Sequence, residues 1–282
     1  MYKNILQILR VHNLILGSFA VAVSAYLLNF PLNLLTIYCM LIVKIIMALA
    51  YIMNDCLDMK SDKINHPDRP LANHRISTKY VIYITSILFS LLLILMININ
   101  YYALQFLFLF VFPLTILYNL YFKNMPIIGN LITSILLGSI FMFSEIVLNS
   151  STHILILPFF LCVTFNLLRE MIKDMHDYDG DLSIDAYTAP VYFGKTKMNK
   201  FIIIYTIFLM LLYLLPYFIF HLDIEFLLLL LLLIEIPLLY SVFLLIKFPK
   251  KKTYKYLSDL LKYLCLGGLL IIMLTKNSYI YV

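Results

Sequence analysis

The sequence predicts an all-α polytopic membrane protein, a bundle of about nine transmembrane helices with its amino terminus in the cytoplasm. Three observations carry that expectation. Of 282 residues, 63% are hydrophobic and only 13% charged, where soluble domains run at about 45–50% and about 25%. The mean hydropathy is +0.95. Apolar stretches recur at the roughly 20 residues that a bilayer-spanning helix needs, and Lys and Arg gather in alternate connections between them. A soluble globular enzyme, a disordered chain and a secreted disulfide scaffold are thereby excluded. Cys39, Cys56, Cys162 and Cys265 are scattered without a CxxC pair, so neither a zinc site nor a disulfide framework is implied. The net charge of +6 reads as membrane topology rather than nucleic-acid binding.

The spans follow in order. Residues 12–30 form the first, after Lys3 and Arg10; Gly17, Ala20, Val21 and Ser24 have the spacing of a close-packing face, which suits an internal span better than a cleaved leader. The second, 33–53, runs up to an acidic stretch. The third, 80–98, begins after Lys79, and the fourth, 101–119, ends before Lys123. The fifth is 129–148, and the sixth, 153–172, ends among Arg169 and Lys173. The seventh, 200–220, follows Lys195, Lys197 and Lys200; the eighth, 224–246, with its lipid-compatible Leu run, stops at Lys247. The ninth, 257–275, follows the polybasic 250–252 patch, which suits anionic headgroups. With no Trp and 22 Tyr, tyrosine must supply the interfacial belt. The whole of 1–282 reads as a single domain.

Orientation comes from the basic residues. Lys60, Lys63, Arg69, Arg75 and Lys79 lie between spans 2 and 3, and Lys247, Lys250, Lys251, Lys252 and Lys255 between 8 and 9. The opposite loops, at 30–31, 98–100, 149–153 and 221–223, contain no Lys or Arg. Only Lys44, Lys262 and Lys276 depart from the pattern. The positive-inside rule then places the amino terminus in the cytoplasm of a cell with the protein in its plasma or inner membrane.

Ten of the 15 acidic residues sit in two of the basic-flanked stretches. Asn54, Asp58 and Asp62 recur at i, i+4, i+8; Glu170, Asp174, Asp177 and Asp181 at i, i+4, i+7, i+11. Each set falls on one face of a helix that would prolong an apolar span. Like charges at this spacing repel, more so as water is excluded, and oxygen-ligated hard cations relieve them. Mg²⁺ in particular uses few carboxylates and completes its shell with water and substrate phosphate. The run 177–181 suggests a calcium loop, but in the EF-hand register Met175 and Ala186 would fall on ligand positions. Arg10, Arg69, Arg75, Lys123, Arg169 and Lys173 are interleaved with the acids. Cation transport has little use for them, whereas a metal-complexed phosphate does.

These residues resemble a known family. Asn54, Asp58 and Asp62, followed by Asn65, Pro67, Arg69 and Pro70, resemble the NxxxDxxxD and NxPxRP patterns of the UbiA superfamily of intramembrane prenyltransferases. Asp177 and Asp181, with Arg169, Glu170, Lys173 and Asp174 before them, resemble its second acidic motif. Tyr118 and Lys123 resemble its phosphate-contacting connection, and Arg10 and Asn13 its amino-terminal pattern. The resemblance implies nine helices and transfer of a prenyl group from an allylic diphosphate to a membrane-associated acceptor. It implies a Mg²⁺ site at Asn54, Asp58, Asp62, Asp177 and Asp181, with Asp58, Asp177 and Lys123 catalytic. Arg10, Asn13, Asp55, Arg69, Tyr118, Arg169 and Lys173 would bind substrate.

The wording of both motifs is most similar to the digeranylgeranylglyceryl phosphate synthase branch. That branch alkylates the free hydroxyl of geranylgeranylglyceryl phosphate to make the second ether bond of archaeal-type lipids. Val11 and His12 in place of Pro-x, Asn73 and His74 in place of Ser-Gly, and Asp185 and Tyr187 in place of a Gly and a Lys depart from the pattern. An aromatic acceptor of quinone biosynthesis, 4-hydroxybenzoate or 1,4-dihydroxy-2-naphthoate, is the alternative within the family. A carboxylate-lined ion transporter is the alternative outside it, although it would want its acids near the bilayer centre. There only Glu145 and Glu235 fall, and both read as interface or packing residues.

Overall fold

The computed structural model describes residues 2–148, 153–184 and 186–274. Residues 149–152 of one charge-free loop, Asp185 and Lys276 lie outside the described residues. Among the described residues every regular element is helical. All nine expected segments are helices: Val11–Leu27, Leu34–Leu57, Thr78–Met96, Tyr101–Leu120, Ile128–Val147, Ile156–Ser183, Lys195–Ile219, Ile224–Lys247 and Lys251–Leu274. Seven are long and apolar enough to cross a bilayer. Val11–Leu27 is shorter, at 17 residues. Ile156–Ser183 is longer, at 28, because the second acidic run continues it without a break. The 250–252 patch, expected in a connection, instead opens the last helix from Lys251.

The chain divides into two compact units, one of Met1–Asn124, Ser139–Ile156 and Asp179–Ala186, the other of Met125–Gly138, Leu157–Tyr178 and Tyr187–Val282. In the first, Leu34–Leu57 packs against Val11–Leu27 and Thr78–Met96. The small-residue face does what its spacing suggests: a Cβ on Gly17 would fall 2.5 Å from Met47 Sδ and 3.4 Å from Val43. Ala20, Val21 and Ser24 are buried alongside. Side chains start the helices. Asn33 accepts from the Leu35 and Thr36 amides (3.0 and 3.2 Å), Ser77 from Tyr80 (3.4 Å) and Asn100 from Ala103 (2.8 Å), so otherwise orphaned donors are satisfied.

One feature of this unit sets the site. The short helix Tyr2–Ile8 drops Ile8 into a cluster with Ile52, Leu71, Ile76 and Val81. Gln7 Nε2 and Asn4 Nδ2 donate to the carbonyls of Asp68 and Arg75 (3.1 and 3.4 Å). The 66–77 connection is therefore pinned from below by apolar burial and from its edge by hydrogen bonds. Burial of side chains such as Leu71 and Ile76 contributes on the order of 1.5–3 kcal/mol each, enough to hold Arg69 in a fixed place.

The second unit is built on Leu168, Met171, Ile172, Met198, Ile202, Leu209, Leu238, Leu257 and Leu261, all at most 1% exposed. Its polar cross-links satisfy backbone or side-chain groups inside the bundle. Asn199 Nδ2 donates to the Leu245 carbonyl (3.1 Å) and Asn199 Oδ1 accepts from the Tyr254 hydroxyl (2.9 Å); the Tyr205 hydroxyl donates to the Thr164 carbonyl (3.0 Å). Outward residues such as Ile204, Leu211 and Leu232 are exposed and apolar, a surface suited to lipid.

Two helices carry a π turn, Leu107–Val111 and Leu231–Glu235, and each turn ends two residues before a proline, Pro113 or Pro237. A proline ring clashes with the carbonyl four residues back, which falls inside the π turn in both cases. The extra residue relieves that clash while keeping the remaining backbone groups bonded.

Candidate active site

The first acidic motif is more articulated than a single stripe. Leu34–Leu57 ends just before Asp58, whose φ of −93° and ψ of 6° place it in the sparsely populated bridge region, and Met59–Asn65 begins just after it. The expected uninterrupted helix from Asn54 to Asp62 is thus broken in the middle. The turn is kept nonetheless, since the Asp58 amide bonds the Asn54 carbonyl and the Asp62 amide the Asp58 carbonyl, both at 2.9 Å. Asn54, Asp58 and Asp62 remain successive residues of one ridge with a joint at Asp58.

Each carboxylate of this motif faces a cation. Asp58 pairs with Lys123, which the turn Phe122–Asn124 presents. With its amide nitrogen towards Asp58, Asn54 donates to Asp58 Oδ2 (2.9 Å) and accepts from Lys123 Nζ (3.2 Å). Asp62 receives Arg69 Nη1 on both oxygens, each at 2.6 Å. Asp55, only 2% exposed, pairs with Arg10 and also accepts from Arg69 at 3.4 Å. Arg10 sits at the left-handed joint between Tyr2–Ile8 and Val11–Leu27 (φ 50°, ψ 52°) with its guanidinium 4.8 Å over the Tyr51 ring. Asn13 bonds the Arg10 carbonyl through its own amide (2.7 Å) and so secures that joint.

The ionisations of Asp62 and Arg10 are displaced. Burial pushes the Asp62 carboxyl up from the usual carboxylate range; Arg69 offsets part of this and the charges of Asp55 and Asp58 add to it. Burial alone would pull the Arg10 guanidinium down, but Asp55, with help from Tyr51 and Asp62, outweighs it and the guanidinium is raised. Arg10 therefore stays a cation beside Asp55.

The second motif reaches the same unit through its end. Asp179–Ala186 belongs with the first motif, and there Asn65 accepts from the Gly180 amide (3.0 Å) and donates to Asp181 Oδ1 (3.4 Å). Gly180 is required by that contact, because a Cβ there would lie inside the Asn65 amide. Asn65 and Gly180 stand in the motifs but outside the acidic spacing that marks the site, and Tyr51 lies outside both motifs. Asp177 lies one turn before Asp181 on the same helix and pairs with His176 Nδ1 (2.7 Å).

In the other unit, Glu170 bridges Arg169 (3.2 Å) and Lys173 (3.0 Å). Arg169 Nε is buried with no acceptor among the described residues. Asp174, counted with the acidic stripe, instead accepts from Asn130 Nδ2 (2.7 Å) and so holds a neighbouring helix of its own unit. Among the described residues the Arg75 guanidinium pairs with the exposed Asp68, at 3.6 Å. Tyr118 lies partly buried near the end of Phe112–Leu120.

Asn54, Asp58, Asp62 and Asp181 carry oxygen atoms of the kind that hard divalent ions prefer, and Lys123 and Arg69 pair with Asp58 and Asp62. Residues 13–266 match the model of the UbiA prenyltransferase family. The chain belongs to that family. It is a multi-pass membrane enzyme, a prenyltransferase, and the ion-transporter alternative falls away with that assignment. Digeranylgeranylglyceryl phosphate synthase of Methanocaldococcus jannaschii is 31% identical over 269 residues, 92% of this chain and 91% of its own length. The synthase of Methanosphaera stadtmanae is 30% identical over 265 residues, covering 94% and 95%. A solved structure described as giving structural and mechanistic insight into digeranylgeranylglyceryl phosphate synthase in membranes superposes with a TM-score of 0.71 at 29% identity, over 98% of both chains. A UbiA homologue from Archaeoglobus fulgidus bound to DMAPP and Mg²⁺ shares the fold at a TM-score of 0.65 and 15% identity, covering 94% of this chain and 99% of its own.

Proposed function

We propose that this UbiA-family enzyme transfers a geranylgeranyl group from its diphosphate to the free hydroxyl of geranylgeranylglyceryl phosphate, with Mg²⁺ as cofactor. The likeness to digeranylgeranylglyceryl phosphate synthases over more than nine-tenths of the chain carries the reading. The Archaeoglobus homologue that binds DMAPP with Mg²⁺ supports the metal, and so does the oxygen donor set. We also read 1–282 as one domain, since the family match runs through both compact units.

Asn54, Asp58, Asp62, Asp177 and Asp181 would hold the metal, which when bound supplies positive charge to the departing diphosphate. Arg10, Arg69 and Lys123 would donate to the phosphate oxygens, the guanidinium forks being suited to two oxygens at once. As the C1–O bond to diphosphate breaks, the acceptor hydroxyl oxygen bonds to C1 and gives up its proton, leaving an ether and free diphosphate. The apolar helices keep water from the allylic carbon meanwhile. Purified protein, Mg²⁺ and labelled geranylgeranyl diphosphate test this directly: an ether product with geranylgeranylglyceryl phosphate is expected. If only 4-hydroxybenzoate or 1,4-dihydroxy-2-naphthoate is prenylated, the aromatic alternative replaces it.

The acceptor brings its own phosphate, and Arg169 and Lys173 are two cations of the second motif. A hydrogen bond to a charged group is worth about 1.5–3 kcal/mol. Lys173→Met is therefore expected to raise the acceptor KM about tenfold or more while the diphosphate KM stays within about twofold, the pattern of weakened acceptor binding alone. Equal rises in both would remove Lys173 from the acceptor site.

We further place the 54–79, 120–128, 173–199 and 247–256 connections on the cytoplasmic side of the cell membrane, on the strength of their Lys and Arg content. Accessibility labelling of single cysteines should find these four on one side and 221–223 on the other. Opposite sides for 54–79 and 173–199 would rule out a metal site shared by the two motifs.

A further inference from the structure

In the first unit the carboxylates expected to take a metal are already engaged by the cations expected to take the diphosphate. Lys123 sits on Asp58, and Arg69 covers both oxygens of Asp62 at 2.6 Å. A divalent ion arriving alone would meet an ammonium and a guanidinium at its ligands. A diphosphate arriving alone would meet cations whose charge is already spent on carboxylates. Arriving together, the two solve each other's problem: the metal replaces Lys123 and Arg69 on the carboxylates, and these turn to phosphate oxygens. Asp55 is built differently. It is nearly fully buried, holds Arg10 and has Arg69 at the longer 3.4 Å, so one arginine stays anchored while the other has a second carboxylate to leave.

We propose that Asp58–Lys123 and Asp62–Arg69 form an ion-pair exchange latch. In the resting enzyme the pairs mask both subsites, and metal and diphosphate bind as a mutually dependent couple. Lys123 is the side chain best placed to move, since its ammonium stands at the end of a flexible stem on a short turn and is about a quarter exposed. Asn54 touches both partners and can follow either one. This inference rests on the reading that these residues bind metal and diphosphate, and goes beyond it by giving each group a second, competing partner before substrate arrives. The masking also has a use: a site that holds metal poorly without diphosphate is not left strongly charged at the membrane interface.

Linkage makes the test reciprocal, because each pair couples the two sites by one free energy. The full chain in detergent is titrated with Mn²⁺ alone, the free ion being counted by its paramagnetic signal, and separately with inorganic pyrophosphate alone under chelator. Wild type should bind each weakly. Lys123→Met should bind Mn²⁺ tighter, by roughly 5- to 150-fold if the coupling is of ordinary size, although it has lost a residue of the site. Asp58→Asn should bind Mn²⁺ more weakly yet bind metal-free pyrophosphate tighter than wild type. Lys123→Gln, which can still hydrogen-bond Asn54, should behave as Lys123→Met and stands in if that variant folds poorly. Mn²⁺ binding that is unchanged or weaker in both Lys123 variants would overturn the latch while leaving the metal site standing. If Asp58→Asn leaves Mn²⁺ binding untouched, the metal assignment itself fails and the latch with it.

Discussion

Asp58→Asn is expected to lower kcat/KM for prenyl transfer by at least about a hundredfold, with folded yield near wild type. Changes to the groups that merely orient metal ligands cost about 10- to 100-fold, so loss of a ligand charge should fall at or beyond the upper end. Asparagine matches aspartate in shape, and Asp58 keeps the helix joint through backbone bonds to Asn54 and Asp62, which the substitution leaves alone. Lys123 does not become stranded either, because Asn54 accepts from it and its side chain is about a quarter exposed. The loss is thus one of charge at a metal ligand rather than of fold. Chelation of wild type should reproduce it, and added Mg²⁺ should reverse the chelated state but not the substitution. Asp68→Asn is the control. That side chain is 90% exposed and 3.6 Å from Arg75, a pair worth at most about 1 kcal/mol, and its activity should stay within about twofold. Activity of Asp58→Asn near that of Asp68→Asn, measured by labelled prenyl transfer, would take Asp58 out of the site.

The reason such a ligand could be named from sequence is that helical spacing is local. Nine apolar segments and two runs of acids at three- and four-residue intervals need only the chain's own neighbourhood to be read, and the helices lie where those patterns put them. What local pattern does not contain is partnership across the chain. Arg10 is 45 residues from Asp55 and Asn65 is 115 from Gly180, so a list of charges shows that cations are present without showing that they rest on the carboxylates. The resemblance implies that Arg10, Arg69 and Lys123 face the diphosphate; in the structure each pairs with an aspartate, a partnership that no local pattern shows. The break at Asp58 was equally hidden, because the residues on either side are ordinary helix formers and the i to i+4 hydrogen bonds continue through it. The π turns are an intermediate case. Pro113 and Pro237 mark where an apolar helix must be disturbed, but not that one extra residue would resolve the disturbance.

Gly180→Ala is expected to be the most damaging single-methyl change in the second motif. Glycine usually weakens a helix interior, and alanine in its place would normally stabilise by up to about 1 kcal/mol. Here the sign reverses. The added carbon would occupy the Asn65 amide, a side chain that is itself buried and bonded to both Gly180 and Asp181. Overpacking of this kind costs about 1–3 kcal/mol, and separating Asn65 also removes two hydrogen bonds worth about 1 kcal/mol each. Backbone strain plays no part, since Gly180 lies inside Ile156–Ser183 in ordinary helical conformation. The consequence for function is that Asp181 moves relative to Asp62 while every proposed ligand is still present. Transfer should therefore fall by about tenfold or more, with a lower unfolding temperature in detergent. A rise in diphosphate KM should accompany it, the signature of ligands misplaced rather than lost. Shortening the partner separates the two causes. Asn65→Ser in the Gly180→Ala background removes the clash without restoring the hydrogen bonds, so it should recover part of the thermal stability but little of the activity. Wild-type activity in Gly180→Ala would mean that the end of the second motif need not be held against Asn65 for the reaction to proceed.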